Sequence, residues 1–163
     1  MRASEWDRAR DWIGGMDTIE KLAAIEEIKA LKARYFRTMD SKDWAGYEAV
    51  FAPDLIADFR DAAGAHDPSQ LTHGAAAYVA MLAPMLDKVS TVHHGHTPEI
   101  TIESPTTARG VWAMEDKLWP GPESDLPFTW LHGYGHYHER YVKLGNEWRI
   151  AEIRLTRLRV DAG

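Results

Sequence analysis

The stretch TVHHGHTPEITIE, residues 91–103, is where the apolar period changes from helical to two, and that change decides the fold. Alternation continues downstream through strands expected at 91–103, 106–119, 129–143 and 147–160. Ser104-Pro105 and Leu144-Gly145-Asn146 read as hairpin turns, and 120–127 as a longer polar insertion. Upstream, Asp17 or Thr18 caps a long helix, with Glu20 placed to complete a capping box. Leu22, Ile25, Ile28, Leu31, Tyr35 and Met39 recur on its apolar face, while Glu26, Glu27, Lys29 and Lys32 are expected to face water. The helix fades at Asp40-Ser41-Lys42-Asp43. A second helix is expected over 44–51, ended by Pro53, then a short strand at 55–59 and a Gly/Pro/Asp loop at 61–70. A third helix spans 75–86, bent or ended near Pro84. Helices first and long antiparallel strands last predict an α+β domain, a strongly curved antiparallel sheet with helices covering one face. Residues 1–16 read as an N-terminal extension with a short helix stopping at Gly14-Gly15, and 17–163 as a single domain.

Composition narrows the function classes. A chain of 163 residues, 45% hydrophobic and 27% charged, can close a single core. Its net charge of −6, with no dense Lys/Arg run, argues against nucleic acid as a partner. Cysteine is absent, which removes disulfides, a thiolate nucleophile and Cys-based metal sites. No apolar run is long enough to span a bilayer, and the start MRASEWDRARDW lacks the apolar segment of a signal peptide, so a cytoplasmic, membrane-free protein is expected.

Strand parity sorts the ionisable residues. Between 108 and 118 the even face carries Gly110, Trp112, Met114, Asp116 and Leu118, so Asp116 points with the apolar set, where a carboxylate is costly unless paired. His96 shares its parity with Ile100 and Ile102, although Pro98 can disturb the register. Arg157 lies on the face of Ala151, Ile153 and Leu155. His96 with Asp116, or with Asp40 at the helix end, forms a candidate general base whose carboxylate fixes the imidazole tautomer. Tyr35 supplies a phenol to protonate a leaving hydroxyl or polarise a carbonyl, and Arg157 neutralises negative charge. A core His–Asp hydrogen bond and a structural Arg–Asp pair explain any two of these residues. Five polar groups aimed into one small core have more use in catalysis than in packing.

His94 and His96 form an HxH pair, and His132, Tyr134, His136 and His138 share one strand face, so a cupin-like metal centre is conceivable. No acidic ligand stands at metal-like spacing from the HxH pair, and neither metal nor cofactor is expected. Trp112, Met114, Tyr137, His94 and His136 are the candidate substrate contacts, walling a pocket for a flat apolar molecule. There is no Gly-rich phosphate loop and no serine nucleophile elbow.

The segment AIEEIKALKARYFRTMDSKDWAGYEAVFAPD (24–54), then HHGHTPEITI (93–102) and Met114–Leu118, resembles the SnoaL-like group of the nuclear-transport-factor-2-like superfamily, and within it the bile acid 7-alpha-dehydratases. The resemblance implies a cone-shaped sheet wrapped around the helices, and a cofactor-free homotrimer. It implies site roles for Tyr35, Asp40, His96, Asp116 and Arg157. Two features depart from it: only six residues follow Arg157, and the 120–127 insertion and the histidine-rich face are additional. The expected activity is a hydro-lyase removing water from a hydroxylated steroid-like or polycyclic ketone. The alternatives are a ketosteroid-type double-bond isomerase, and a non-catalytic ligand-binding protein or small subunit of an aromatic-ring dioxygenase. Trp148, Ile150 and Leu158, beside Glu152 and Arg154, are expected on the outward face of the last strand, where trimer partners would pack.

Overall fold

The computed structural model describes residues 15–62 and 66–163. The helix expected before Gly14, and with it most of the N-terminal extension, lies outside the described residues. Helix α1 (Thr18–Asp40) starts at an Asp17 cap. The Asp17 carboxylate accepts from the Glu20 amide at 2.8 Å, and the Glu20 carboxylate from the Asp17 amide at 2.8 Å. Ala24, Ile28, Leu31, Tyr35 and Met39 form its buried side. Complete burial of Ile28 and Leu31 stabilises by roughly 1.5–3 kcal/mol each. Two expectations on this helix are corrected: Leu22 is exposed, and Lys32 is 1% exposed. The spacing Ile28, Lys32, Tyr35, Met39 is that of one helical stripe, so Lys32 is buried by position although its type suggested water.

Helix α2 (Trp44–Glu48) is shorter than expected because the chain enters β1 (Phe51–Asp58) before Pro53. A 3₁₀ turn at Pro68–Gln70, strand β2 (Leu71–His73) and helix α3 (Ala75–Leu86, with Pro84 inside it) follow. Then come the long strands β3 (Val89–Ser104), β4 (Thr107–Pro120), β5 (Leu131–Leu144) and β6 (Glu147–Ala162). The sheet order is β2-β1-β6-β5-β4-β3. All neighbours are antiparallel except β1 and β6, which run parallel, so the wholly antiparallel sheet expected is corrected to a mixed one. Around Pro53, which has no amide hydrogen to give, the β1–β6 register shifts. The curved sheet wraps α1, which packs on β3 and β6, while α3 closes over β1, β2 and β3.

Curvature comes with bulges. In β3, Gly95 pairs with Met114 and Pro98 with Trp112, so three steps on β3 meet two on β4. In β6, Ala151 and Leu158 are each passed over in the pairing with β5. One extra residue turns every side chain beyond it to the other face of the sheet. Trp148 and Ile150 are therefore buried together with Ile153 and Leu155 across the Ala151 bulge. The expectation that Trp148 and Ile150 face outward is corrected, whereas Leu158 is 74% exposed.

Candidate active site

The same geometry selects the histidine. Before the β3 bulge the odd residues Val89, Thr91 and His93 are buried, and beyond it the half-buried residues are the even Ile100 and Ile102. Parity counted back from Ile100 therefore points to His96, but the inward histidine is His93, which pairs directly across from Asp116. The His96 side chain is 59% exposed on the outer face, 4.0 Å from Glu115 Oε1, so its expected place in the site is corrected.

His93 docks on the end of α1. Its Nδ1 lies 2.6 Å from Asp40 Oδ1, and its backbone N–H donates to Asp40 Oδ2 at 2.9 Å. The Thr91 hydroxyl donates to Asp40 Oδ1 at 2.9 Å and accepts from Lys42 Nζ at 2.8 Å. Burial pulls the Asp40 pKa up, but the His93 and Thr91 hydrogen bonds outweigh it and hold the carboxyl below its ordinary value. An ionised Asp40 makes Nδ1 the protonated nitrogen, which leaves Nε2 as a proton acceptor.

Asp116 and Arg157, expected to point inward, do so and bind each other. Arg157 donates to Asp116 through Nη1 at 2.9 Å and Nη2 at 2.7 Å, and through Nε to the Ala62 carbonyl at 2.8 Å. Arg157, not His96, is thus the partner of Asp116. Gly133 lies across from Asp116 on β5, and a Cβ there would collide with both the Asp116 carboxylate and the Arg157 guanidinium.

Tyr35 is completely buried, and its hydroxyl is the one buried side-chain polar atom without a hydrogen-bond partner among the described residues. Burial, with Tyr137, Tyr47 and Tyr78 around it, pushes its pKa well above 10 and keeps it a donor. Tyr35, His93, Asp116, Tyr137 and Arg157 line one cavity of about 280 Å³. Phe59 and Tyr78, then Met81, Leu82 and Met85 of α3, and Leu126 and Phe128 of the β4–β5 segment supply its apolar wall. A wider groove of about 590 Å³ crosses the outer face past Asp58, Arg109, Arg140 and Arg154, but the acid–base groups converge only in the smaller, inner one.

Of the expected substrate contacts, Tyr137 lines the cavity and four do not. Trp112 is buried beside it and donates to the Tyr141 hydroxyl at 2.8 Å, and Met114 lies under Arg157, with Sδ 3.7 Å from Nη1. His94 and His136 have the opposite parity and face outward, His94 beside Glu115 and His136 beside His138. His132 binds Glu115 at 2.9 Å on that outer face. No group of three or more His, Asp or Glu suited to hold a metal occurs among the described residues. The run Val89-x-Thr91-x-His93 carried the signal for the inward histidine. The cavity roles of Tyr78, the α3 methionines, Leu126 and Phe128 had no local signal, because they arise from packing between elements.

The SnoaL-like domain signature matches residues 20–154. The Gibberella zeae protein named "Probable cyclase FGR4" is 26% identical over 139 residues, 80% of this chain and 89% of its own. A Novosphingobium aromaticivorans protein provisionally assigned as a scytalone dehydratase superposes with a TM-score of 0.75 at 18% identity, covering 90% of this chain and 91% of that one. The hexachlorocyclohexane dehydrochlorinase LinA-type3 of Novosphingobium barchaimii gives 0.69 at 10% identity, covering 89% and 93%. At these identities the structural likenesses establish the fold alone. No described helix is long and apolar enough to cross a membrane.

Proposed function

We propose that this chain, which belongs to the SnoaL-like domain family, is a cofactor-independent lyase that removes water from a hydroxylated polycyclic or steroid-like ketone. One observation carries the reading: Tyr35, whose buried hydroxyl lacks a hydrogen-bond partner, and His93 line the same apolar cavity. Its volume of about 280 Å³ lies just below the usual range of ligand sites, roughly 300–1,000 Å³, which favours a core of few rings. Tyr35 holds the ketone oxygen by donating its hydrogen bond. His93 Nε2 takes the acidic proton beside the carbonyl, Asp40 steadies the imidazolium, and the electron pair moves onto the oxygen held by Tyr35. The enolate then re-forms the ketone and a new C=C bond as hydroxide leaves, and the imidazolium returns its proton to that oxygen. The products are an enone and one water, with His93 neutral again. The Arg157–Asp116 pair shapes the polar wall at the leaving group. Kinship with the bile acid 7-alpha-dehydratases is the finer proposal, supported by Tyr35, Asp40, Asp116 and Arg157 gathering around a histidine of the expected motif, His93 in place of His96.

Mass spectrometry of a hydroxyketone panel tests the reaction. Loss of one water from a panel member, abolished in His93→Ala, is the expected result. Conversion at constant mass would instead identify a double-bond isomerase, which needs the same base and oxyanion donor. No conversion, together with a stable heteromeric partner, would point to a non-catalytic subunit. Assembly as a homotrimer through the outer sheet face belongs to the same proposal, supported by the exposed Leu158 and the broad groove there. A stable monomer in sedimentation at micromolar concentration would refute the trimer.

A further inference from the structure

Beneath the cavity floor lies a charge that the reaction above leaves unused. Lys32 is buried, with its ammonium 3.8 Å from the centroid of the Tyr35 ring, 3.7 Å from that of Tyr137 and 4.8 Å from that of Phe36. It donates to Glu139 Oε1 at 2.5 Å, and Glu139 Oε2 accepts from Tyr141 at 2.5 Å. Trp112 donates in turn to the Tyr141 hydroxyl. The ammonium, not the carboxylate, is the charge that lies over the two rings lining the cavity, and the carboxylate's other oxygen is occupied by Tyr141.

Stability gives little reason for this arrangement. Two ions taken out of water often contribute no more than an apolar pair of the same volume. Burial pushes Lys32 down to about 8, against the pull of Glu139, so at neutral pH the floor still holds an ammonium, paired with the Glu139 carboxylate. A cation on the face of a phenol withdraws electron density from the ring and stabilises negative charge developing at its oxygen. The Tyr35 hydroxyl is the group that needs this, because it has no well-formed hydrogen bond among the described residues and lies among the phenols of Tyr47, Tyr78 and Tyr137.

We propose that Lys32 is an electrostatic positioning residue which, through the rings of Tyr35 and Tyr137, strengthens their hydroxyls as donors to an oxyanion in the cavity. The inference rests on the proposed enolate chemistry and names what makes that oxyanion affordable in an apolar site. Lys32 touches no substrate atom; it acts through the tyrosines. The same field discriminates among ligands, favouring planar phenolates and enolates over neutral molecules of equal shape.

The test compares a nitronaphthol that is ionised at neutral pH with its methyl ether, which cannot ionise. Affinities are measured for wild type and for Lys32→Met/Glu139→Gln, which removes both charges and keeps an acceptor for Tyr141. Wild type is expected to favour the anion, and the anion-to-ether ratio is expected to fall about 10- to 100-fold in the double variant with ether affinity nearly constant. A merely structural lysine would lower both affinities together, and an unchanged ratio overturns the inference.

A wild-type measurement covers the case in which the double variant does not fold. The groups facing Lys32 are Glu139 and Tyr137 on β5, Tyr35 on its own helix, and Tyr141 behind Glu139. All three tyrosines are pushed upward by burial, so Lys32 is the group that loses its proton near 8. Anion affinity is expected to fall as pH rises through that value while ether affinity holds; a flat anion profile overturns the inference. Wild type that binds neither ligand refutes the oxyanion cavity itself. An intact anion preference without any water loss from hydroxyketones leaves Lys32 in place and refutes only the dehydration.

Discussion

At the residue scale, two histidines three positions apart have opposite fates, and the contrast is measurable. His93→Ala is expected to cut turnover by roughly 10²–10⁴, the loss typical of a positioned base. His96→Ala, a surface change, should leave turnover within about twofold. Reversal of that order would restore His96 to the site. The placement of Asp116, Arg157, Tyr35 and Asp40 was legible because each sits where simple periodicity holds: even parity on β4, Arg157 between the two β6 bulges, and the last turns of α1. His93 was not, since one unpaired residue near Pro98 inverts the count. Gly133 marks the other close fit. Gly133→Ala places a methyl group on the Arg157–Asp116 pair and should lower both thermal stability and turnover, most directly seen as a reduced melting temperature beside a His96→Ala control.

At the element scale, α1 carries both an ordinary apolar stripe and the one lysine that breaks its chemistry. Removing half of the Lys32–Glu139 pair strands the other charge. Lys32→Met alone is therefore expected to cost about 3–5 kcal/mol, and adding Glu139→Gln to recover most of it, as read from denaturant midpoints. Equal stability of the single and double variants would mean that Glu139 is neutral or hydrated in the fold. The bounds of two helices followed from local chemistry, but the end of α2 did not: the Asp17–Glu20 box starts α1, and α3 occupies 75–86 as expected despite Pro84. Strand facing did not, because the bulges at Ala151 and Leu158 depend on how β6 meets β5. The parallel pairing of β1 with β6 was illegible for the same kind of reason, being a contact between distant segments.

At the scale of the whole molecule, acid stability should carry the mark of Asp40. Its pKa in the fold lies below the ordinary 3.8, so the unfolded chain takes up the proton first as pH falls. Its contribution is complete above about 3.8 and is lost as pH falls through the lower folded value. Melting temperatures followed down through that range should drop less steeply in Asp40→Asn than in wild type, and parallel curves would refute the linkage. Lys32 has the same sense in a higher window. Its folded value of about 8 lies below the ordinary 10.5, so the cost of its buried charge is relieved between those two values as pH rises. The sheet order also has a kinetic side. The β1–β2 pair joins the other strands only through β6, roughly a hundred residues later in the chain than β1, and β6 also brings Arg157 to Asp116. During synthesis, then, β3, β4 and β5 can form a meander whose β5 edge is naked until β6 arrives, while α1 and the β1–β2 pair wait beside it without a cavity. High contact order of this kind slows folding. The interval before β6 emerges is when the nascent protein most needs a chaperone to shield that edge.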